Sequence, residues 1–438
     1  MSNQISIPEF YSGKNIFITG GTGFLGKAIV EKLLRSCPEI DRIYLLARAK
    51  KNKTASERIQ EITDAPLFDV IRAKNPEIFK KISLLEGDII KENLGLSDND
   101  LKIFYEKVNV IIHSAATISF NEPLKIAVNT NLQPIKELIK LARKTKRLDC
   151  LIHISTIYTN WFERDIREKI YKPKYDPNEI IEMSKTLTDE ELNKISLMGH
   201  ANTYTFTKSL AEYLLSQEGH DLPAVIFRPS VVTTTLKEPF PGWIDNWGGT
   251  APTLFMTSIG IFKHPRMEKD YIIDLIPCDT TVNMILAVGW KVGTEQNAKN
   301  LPVEAYNCSS SSLNPISYKE LYSGFVEMGR KYPYNFTLKL KEKKPKLIKM
   351  IDTTYDNYHK VKFATTTRTT FHSENPIKLM KLMSQKDLQE FDFDVRKVNW
   401  KSFIETYYLG MRQYLGKENP IIFQFYERKF KDSSLKII

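Results

Sequence analysis

Cysteine is scarce. Cys37, Cys150, Cys278 and Cys308 are the whole complement of a 438-residue chain, far apart and without a CxxC pair. That scarcity argues against a disulfide framework and a cysteine-built zinc site and for a reducing compartment, and no metal site is read. Long apolar runs are missing too: nowhere do 18 consecutive apolar residues occur, so no membrane-spanning helix is expected. The opening MSNQISIPEF has no basic segment followed by an apolar one, so no signal peptide is expected, and the closing SSLKII is not one of the receptor-read addresses. Internal repeats and long low-complexity segments are absent. Acidic residues are in deficit, 52 against 63 basic, for a formal charge of +11. With no zinc-finger spacing and no compact basic recognition helix, this excess gives no support for nucleic acid as a partner. It fits either a solvated basic surface or attraction to an anionic ligand or membrane surface.

What is present is ordinary globular material, 42% hydrophobic and 26% charged, long enough for two or three domains. Its organising stretch is IFITGGTGFLG, residues 16 to 26. A short apolar strand runs into a turn with Gly20, Gly23 and Gly26, and apolar residues at helical spacing follow over 27 to 34. Strand, glycine turn and helix in that order make a phosphate cradle: the turn lets the backbone approach a pyrophosphate, and free N–H groups at the helix start attract it.

A second strand, IYLL, ends at Arg48, where a dinucleotide fold reads the adenosine ribose. An acidic residue there accepts from a free 2′-hydroxyl, whereas an arginine suits a 2′-phosphate, so NADP is favoured over NAD; a surface basic cluster is the alternative. Residues 52 to 81 look helical. A third strand over 82 to 85 exits through Gly87 and Asp88, the latter placed for the adenine amino group or simply for a turn. The fourth strand, VNVIIHS, leads into Ala115, where a small residue lets a cofactor pass; His113 reads as a packed, hydrogen-bonded residue. A helix over 122 to 144 carries Asn131, and a fifth strand ends in Ser155 and Thr156. Strands alternating with helices predict an α/β fold with a doubly wound parallel sheet, its ligand edge at the strand carboxyl ends.

Residues 160 to 200 read as a charged insertion over that edge. Then NTYTFTKSLAEYLL sets Tyr204 and Lys208 four apart, on one helix face. Further strands are expected at 224 to 227 and 306 to 308, and EPFPGWIDN, 238 to 246, as a loop over a pocket. Past residue 313 the texture changes, with a basic stretch at 339 to 349, a threonine-rich one at 365 to 370, and an aromatic stripe over 400 to 411 that reads as packing surface. The expected division is 1–312 and 313–438, the second smaller and mainly helical.

Carbonyl reduction with a nicotinamide needs a proton donor for the oxygen. Tyr204 fits, provided an ammonium such as Lys208 stabilises its phenolate, since a free phenol titrates near ~10. Thr156 would polarise the substrate oxygen, with Ser155 as the alternate hydroxyl, and Asn131 would position a water or backbone group in a relay. The cofactor set is Thr19, Gly20, Gly23, Phe24, Leu25, Gly26, Arg48, Asp88 and Ala115, with Tyr204 and Lys208.

TGGTGFLG, the strand-end Ser155-Thr156 and Tyr204-x-x-x-Lys208 resemble the extended short-chain dehydrogenase/reductase superfamily. GDIIKENLGLS, VIIHSAATISFNEPLKIAVNTN, NTYTFTKSLAE, IFRPSVV, EPFPGWIDN, IPCDTTVN and the late NPISYKEL and FDFDV segments narrow the resemblance to a fatty acyl-CoA reductase, of insect-like type with a shortened C-terminal region. The resemblance implies an extended Rossmann fold, a helical C-terminal domain that helps bind the acyl chain and the membrane, and an intracellular protein, cytosolic or peripheral on endoplasmic reticulum or peroxisome membrane. It implies reduction of a long-chain acyl-CoA to a primary alcohol by two equivalents of NADPH, through a hemithioacetal and an aldehyde. Tyr204, Lys208 and Thr156 carry over as the catalytic set. The chain departs from the family pattern at Pro134-Ile135, and again at YNFTLKLKE, where members carry an apolar stretch. Two other readings share these residues: an extended reductase or epimerase acting on another carbonyl, and a non-catalytic lipid- or coenzyme-binding homologue.

Overall fold

Seven short runs dominated by apolar and β-branched residues build one sheet: β1 Asn15–Thr19, β2 Arg42–Ala47, β3 Ile82–Glu86, β4 Val110–His113, β5 Cys150–Ile154, β6 Ala224–Pro229 and β7 Glu304–Cys308. This computed structural model describes residues 5–50, 52–195, 197–262, 268–295, 301–334, 351–356, 358 and 367–418. The strand order is β7-β6-β5-β4-β1-β2-β3, and every neighbouring pair is parallel. Parallel strands need crossovers, which cover both faces, so β1, β4, β5 and β6 are buried along their whole length. Alternate residues feed two cores: Ile16, Ile18, Val110, Ile112, Ile152 and Ile154 on one face, Phe17, Ile111, Leu151 and Ile226 on the other.

The chain leaves β1 toward β2 on one side and returns as β4 on the other. The order therefore reverses between β1 and β4, and a crevice opens at their carboxyl ends. Helix α1, Phe24–Ser36, packs with the first core; α2, Gln133–Lys144, and α3, Thr203–Glu218, supply the second. The expected helix over 52–81 is broken into Ala55–Thr63, Asp69–Lys74 and two 3₁₀ turns that begin at Pro66 and Pro76, since each proline removes a backbone donor. At 128–132 the helix entering α2 widens into a π turn, which absorbs Pro134 without ending the helix. That is how the chain accommodates its departure at Pro134-Ile135.

Helices α4, Ala251–Ser258, and α5, Cys278–Thr294, lie on the first face, and α6, Tyr318–Lys331, packs against α4 and α8, Trp400–Gly410. The aromatic stripe is packing surface: Phe403, Tyr407, Tyr408 and Met411 are buried, and Phe325 meets Tyr407 edge-on at 5.4 Å. These residues belong to the same apolar cluster as β1. The start of the insertion is tied to later parts of the chain. Asp165–Ile166 pairs with Thr370–Phe371, and the Glu168 carboxylate accepts from Asn307 N at 2.8 Å and from Asn375 N, at the start of helix α7, Glu374–Leu382, at 2.7 Å. Among the described residues no helix is long and apolar enough to cross a membrane. The basic stretch 339–349, all of YNFTLKLKE but Tyr334, and the closing SSLKII lie outside the described residues.

Candidate active site

At the end of β1 the chain turns at Gly20, whose φ of +76° suits glycine. A Cβ there would sit 2.7 Å from Ala115 N, and one at Gly26 would sit 2.2 Å from Gly20 O, so turn, β4 exit and α1 touch backbone to backbone. Gly23 caps α1 with no side-chain bond and no acidic residue stands in the first turn. The N–H groups of Phe24, Leu25 and Gly26 are the donors a helix leaves without intrahelical partners, and with the dipole they favour an anion. The cradle fits a dinucleotide pyrophosphate. Thr19 lies beneath it, fully buried; its hydroxyl bonds His113 Nδ1 at 2.7 Å and accepts from Ala115 N at 3.2 Å. The loop expected over a pocket also supports the cradle. Trp243 is buried and stacks on Phe24 at 5.0 Å, and Asp245 pairs with Lys27.

At the exits of β2 and β3 Arg48 and Asp88 meet each other, Nη1 to Oδ2 at 2.7 Å, with the arginine half exposed. Arg58, which the sequence reading passed over, donates to Arg48 O at 2.7 Å and to Thr22 Oγ1 at 2.8 Å. It therefore joins the glycine turn to the end of β2. Its only sequence signal was position: a basic residue one turn into the helix after β2.

On the β5 side the structure brings Tyr204 to Thr156. Burial raises the Tyr204 phenol to about 12 even with the nearby Thr156 hydroxyl pulling it back, and Thr156 Oγ1 also accepts from Tyr158 N at 3.4 Å. Ser155 is also buried, but its Oγ has no partner among the described residues; adjacent residues on extended backbone face opposite ways, so only one can meet Tyr204. Lys208 Nζ donates to Ile154 O at 2.7 Å, and burial draws its pKa down to about 8. Asn131, on the π turn, accepts from Thr117 N at 2.9 Å and donates to Thr117 O and to Thr207 Oγ1, each at 3.1 Å. It holds the backbone of the β4 exit loop. His113 is packed and hydrogen-bonded, stacked on His153 at 5.4 Å; burial pushes it down to about 3, so it is a neutral imidazole.

The arrangement joins an anion cradle, an arginine corner and a hydroxyl pair with a buried lysine along one sheet edge. That set can hold a dinucleotide and protonate a carbonyl oxygen. The family model described as male sterility protein matches residues 18–285 and a second model of the same description matches 330–418. Fatty acyl-CoA reductase 1 of Homo sapiens is 35% identical over 95% of this chain and 87% of its own length. Fatty acyl-CoA reductase 2 of Bos taurus is 32% identical over 94% and 87%. Among solved structures, the terminal R domain of the myxalamid PKS-NRPS pathway superposes with a TM-score of 0.64 at 20% identity, covering 92% of this chain and 91% of that one. The reductase domain of a nonribosomal peptide synthetase from Mycobacterium tuberculosis gives 0.60 at 20% identity, covering 94% of each chain.

Proposed function

The chain belongs to the fatty acyl-CoA reductase family, and from that premise we propose that it reduces long-chain fatty acyl-CoA to primary alcohol with NADPH, by way of a hemithioacetal and an aldehyde. The observation that carries the mechanism is the placing of Thr156 beside the Tyr204 phenol, with Lys208 one helical turn further along the same face. NADPH would rest its pyrophosphate on the N–H groups of Phe24, Leu25 and Gly26, its 2′-phosphate beside Arg48 and Arg58, and supplies hydride when bound. Tyr204 and Thr156 hydrogen-bond the substrate oxygen, and Tyr204 hands its proton to that oxygen as negative charge develops. Lys208 would supply the positive charge that stabilises the phenolate left by this proton transfer. As the hemithioacetal collapses, its hydroxyl proton returns to the Tyr204 phenolate and the C–S bond breaks, which expels the coenzyme A thiolate and leaves an aldehyde that the same side chains serve in a second round. Asn131 keeps the Thr117 backbone in place beside them.

The test is turnover by the purified protein of NADPH with acyl-CoAs of several chain lengths, following both nicotinamide absorbance and alcohol. Alcohol formed at the expense of two NADPH per acyl-CoA supports the reading. Tight NADPH binding with no alcohol from any chain length would replace it with a non-catalytic coenzyme binder.

A further inference from the structure

The helix that carries Tyr204 and Lys208 carries a third member of the same stripe, Glu212, four residues on. It is 1% exposed, and both its oxygens are taken by Arg228, at 2.9 Å from Nε and 2.6 Å from Nη2. Arg228, at the end of β6, is 0% exposed and also donates to two backbone carbonyls of the insertion, Arg167 O at 3.3 Å and Lys169 O at 2.9 Å. Glu168, between those carbonyls, is the residue that anchors the insertion to β7 and α7. A buried ion pair is a poor source of stability, since desolvation takes back most of the Coulomb gain and apolar residues of similar volume do as well. Its presence here calls for another explanation, and its position supplies one.

We propose that Glu212 and Arg228 are positioning residues for Lys208: Glu212 is the counter-charge that keeps the buried ammonium protonated, and Arg228 fixes that carboxylate while clamping the insertion to the same helix. The groups facing Lys208 are His113 from β4 and His153 from β5, both neutral because buried, and Tyr204 and Glu212 from its own helix, with Arg228 behind Glu212 from β6. Within this set Glu212 is the anion, and it raises the lysine's proton affinity against the desolvation that lowers it. Four of the five N–H groups of the guanidinium are committed, two to Glu212 and two to the insertion. The insertion and the catalytic helix are thereby held by one side chain.

The inference rests on the catalytic reading of Lys208, so the wild-type protein is measured first: turnover of NADPH and acyl-CoA with an alkaline limb in kcat/KM secures that reading, and no turnover removes it. In Glu212→Gln, which keeps the shape and loses the charge, the limb is expected to move to lower pH by about one unit or more, the effect of removing one nearby opposite charge. The double variant Glu212→Gln/Arg228→Met removes both charges, guards against an orphaned arginine, and is expected to show the same direction of shift. A wild-type limb in either folded variant overturns the proposal while leaving the catalytic reading intact. Failure of both to fold would assign the pair to stability alone and overturn it as well.

Discussion

Phe24, the first residue of α1, lies face to face with Trp243 of the PGWIDN segment, ring centroids 5.0 Å apart and planes inclined by 20°. The helix end that forms the anion cradle is thus set by a residue more than two hundred positions away in sequence. Trp243→Ala would leave a cavity under that helix end. It is expected to cost about 3–5 kcal/mol of unfolding free energy in urea, and to weaken NADPH binding because the first-turn donors lose their support. Equal loss of stability in Phe24→Ala and in the double variant would identify the stack as one unit.

Thr156, not Ser155, is the hydroxyl the structure sets beside the Tyr204 phenol. Thr156→Val should lower kcat by about 10²–10³-fold, and Tyr204→Phe should abolish turnover, each with NADPH affinity largely retained. Ser155→Ala should change kcat by less than about threefold, a surface-like effect although the site is buried, because no partner is lost. Steady-state kinetics with one acyl-CoA decides between the two hydroxyls.

Arg48 and Arg58 face the same corner, and each should act only on the phosphorylated cofactor. Arg58→Ala and Arg48→Ala are expected to raise the Kd for NADPH by about 10-fold or more, the worth of a charge-assisted phosphate contact, while the Kd for NADH moves little. Fluorescence titration with both cofactors reads the difference. Equal losses for the two cofactors would place these arginines in the fold and not in cofactor choice.

Lys208 trades stability for chemistry. Its unfolded pKa is the ordinary 10.5 and its folded one about 8, lowered by burial. Between these values the unfolded chain holds a proton that the folded one has released, so stability rises with pH from 8 to 10.5; below 8 both are charged and the folded state carries the full cost. Lys208→Met should therefore be more stable than the wild type at pH ~7, on the order of 3 kcal/mol at about 1.4 kcal/mol per pKa unit, with the gap closing as pH rises toward 10.5. Thermal unfolding midpoints across that range test the sign, and turnover should be lost throughout.

Local patterns carried most of the fold into view. The glycine turn, the strand and helix alternation, and the four-residue interval from Tyr204 to Lys208 each depend on residues within one or two elements, so their periodicity is written along the chain. The stretch over 52–81 is helical as its pattern suggests, but two prolines divide it into short pieces. Arg58, Trp243 and the Glu212–Arg228 pair escaped because their roles depend on partners far away in sequence, and periodicity says nothing about which side chain will face which across a sheet edge.

The sequence alone determined that a dinucleotide cradle opens the chain and that a tyrosine and a lysine share a helix face, since backbone turns and helical spacing are local properties. Tertiary structure decided the rest. Strand order brought the exit of β5 to the helix holding Tyr204 and gave it Thr156 in place of Ser155, because neighbouring residues on an extended chain point apart. The packing of PGWIDN on α1 made the loop expected over a pocket a support of the glycine turn as well. And burial, which no residue carries by itself, set Lys208 near pH 8 and gave Glu212 a charge to balance.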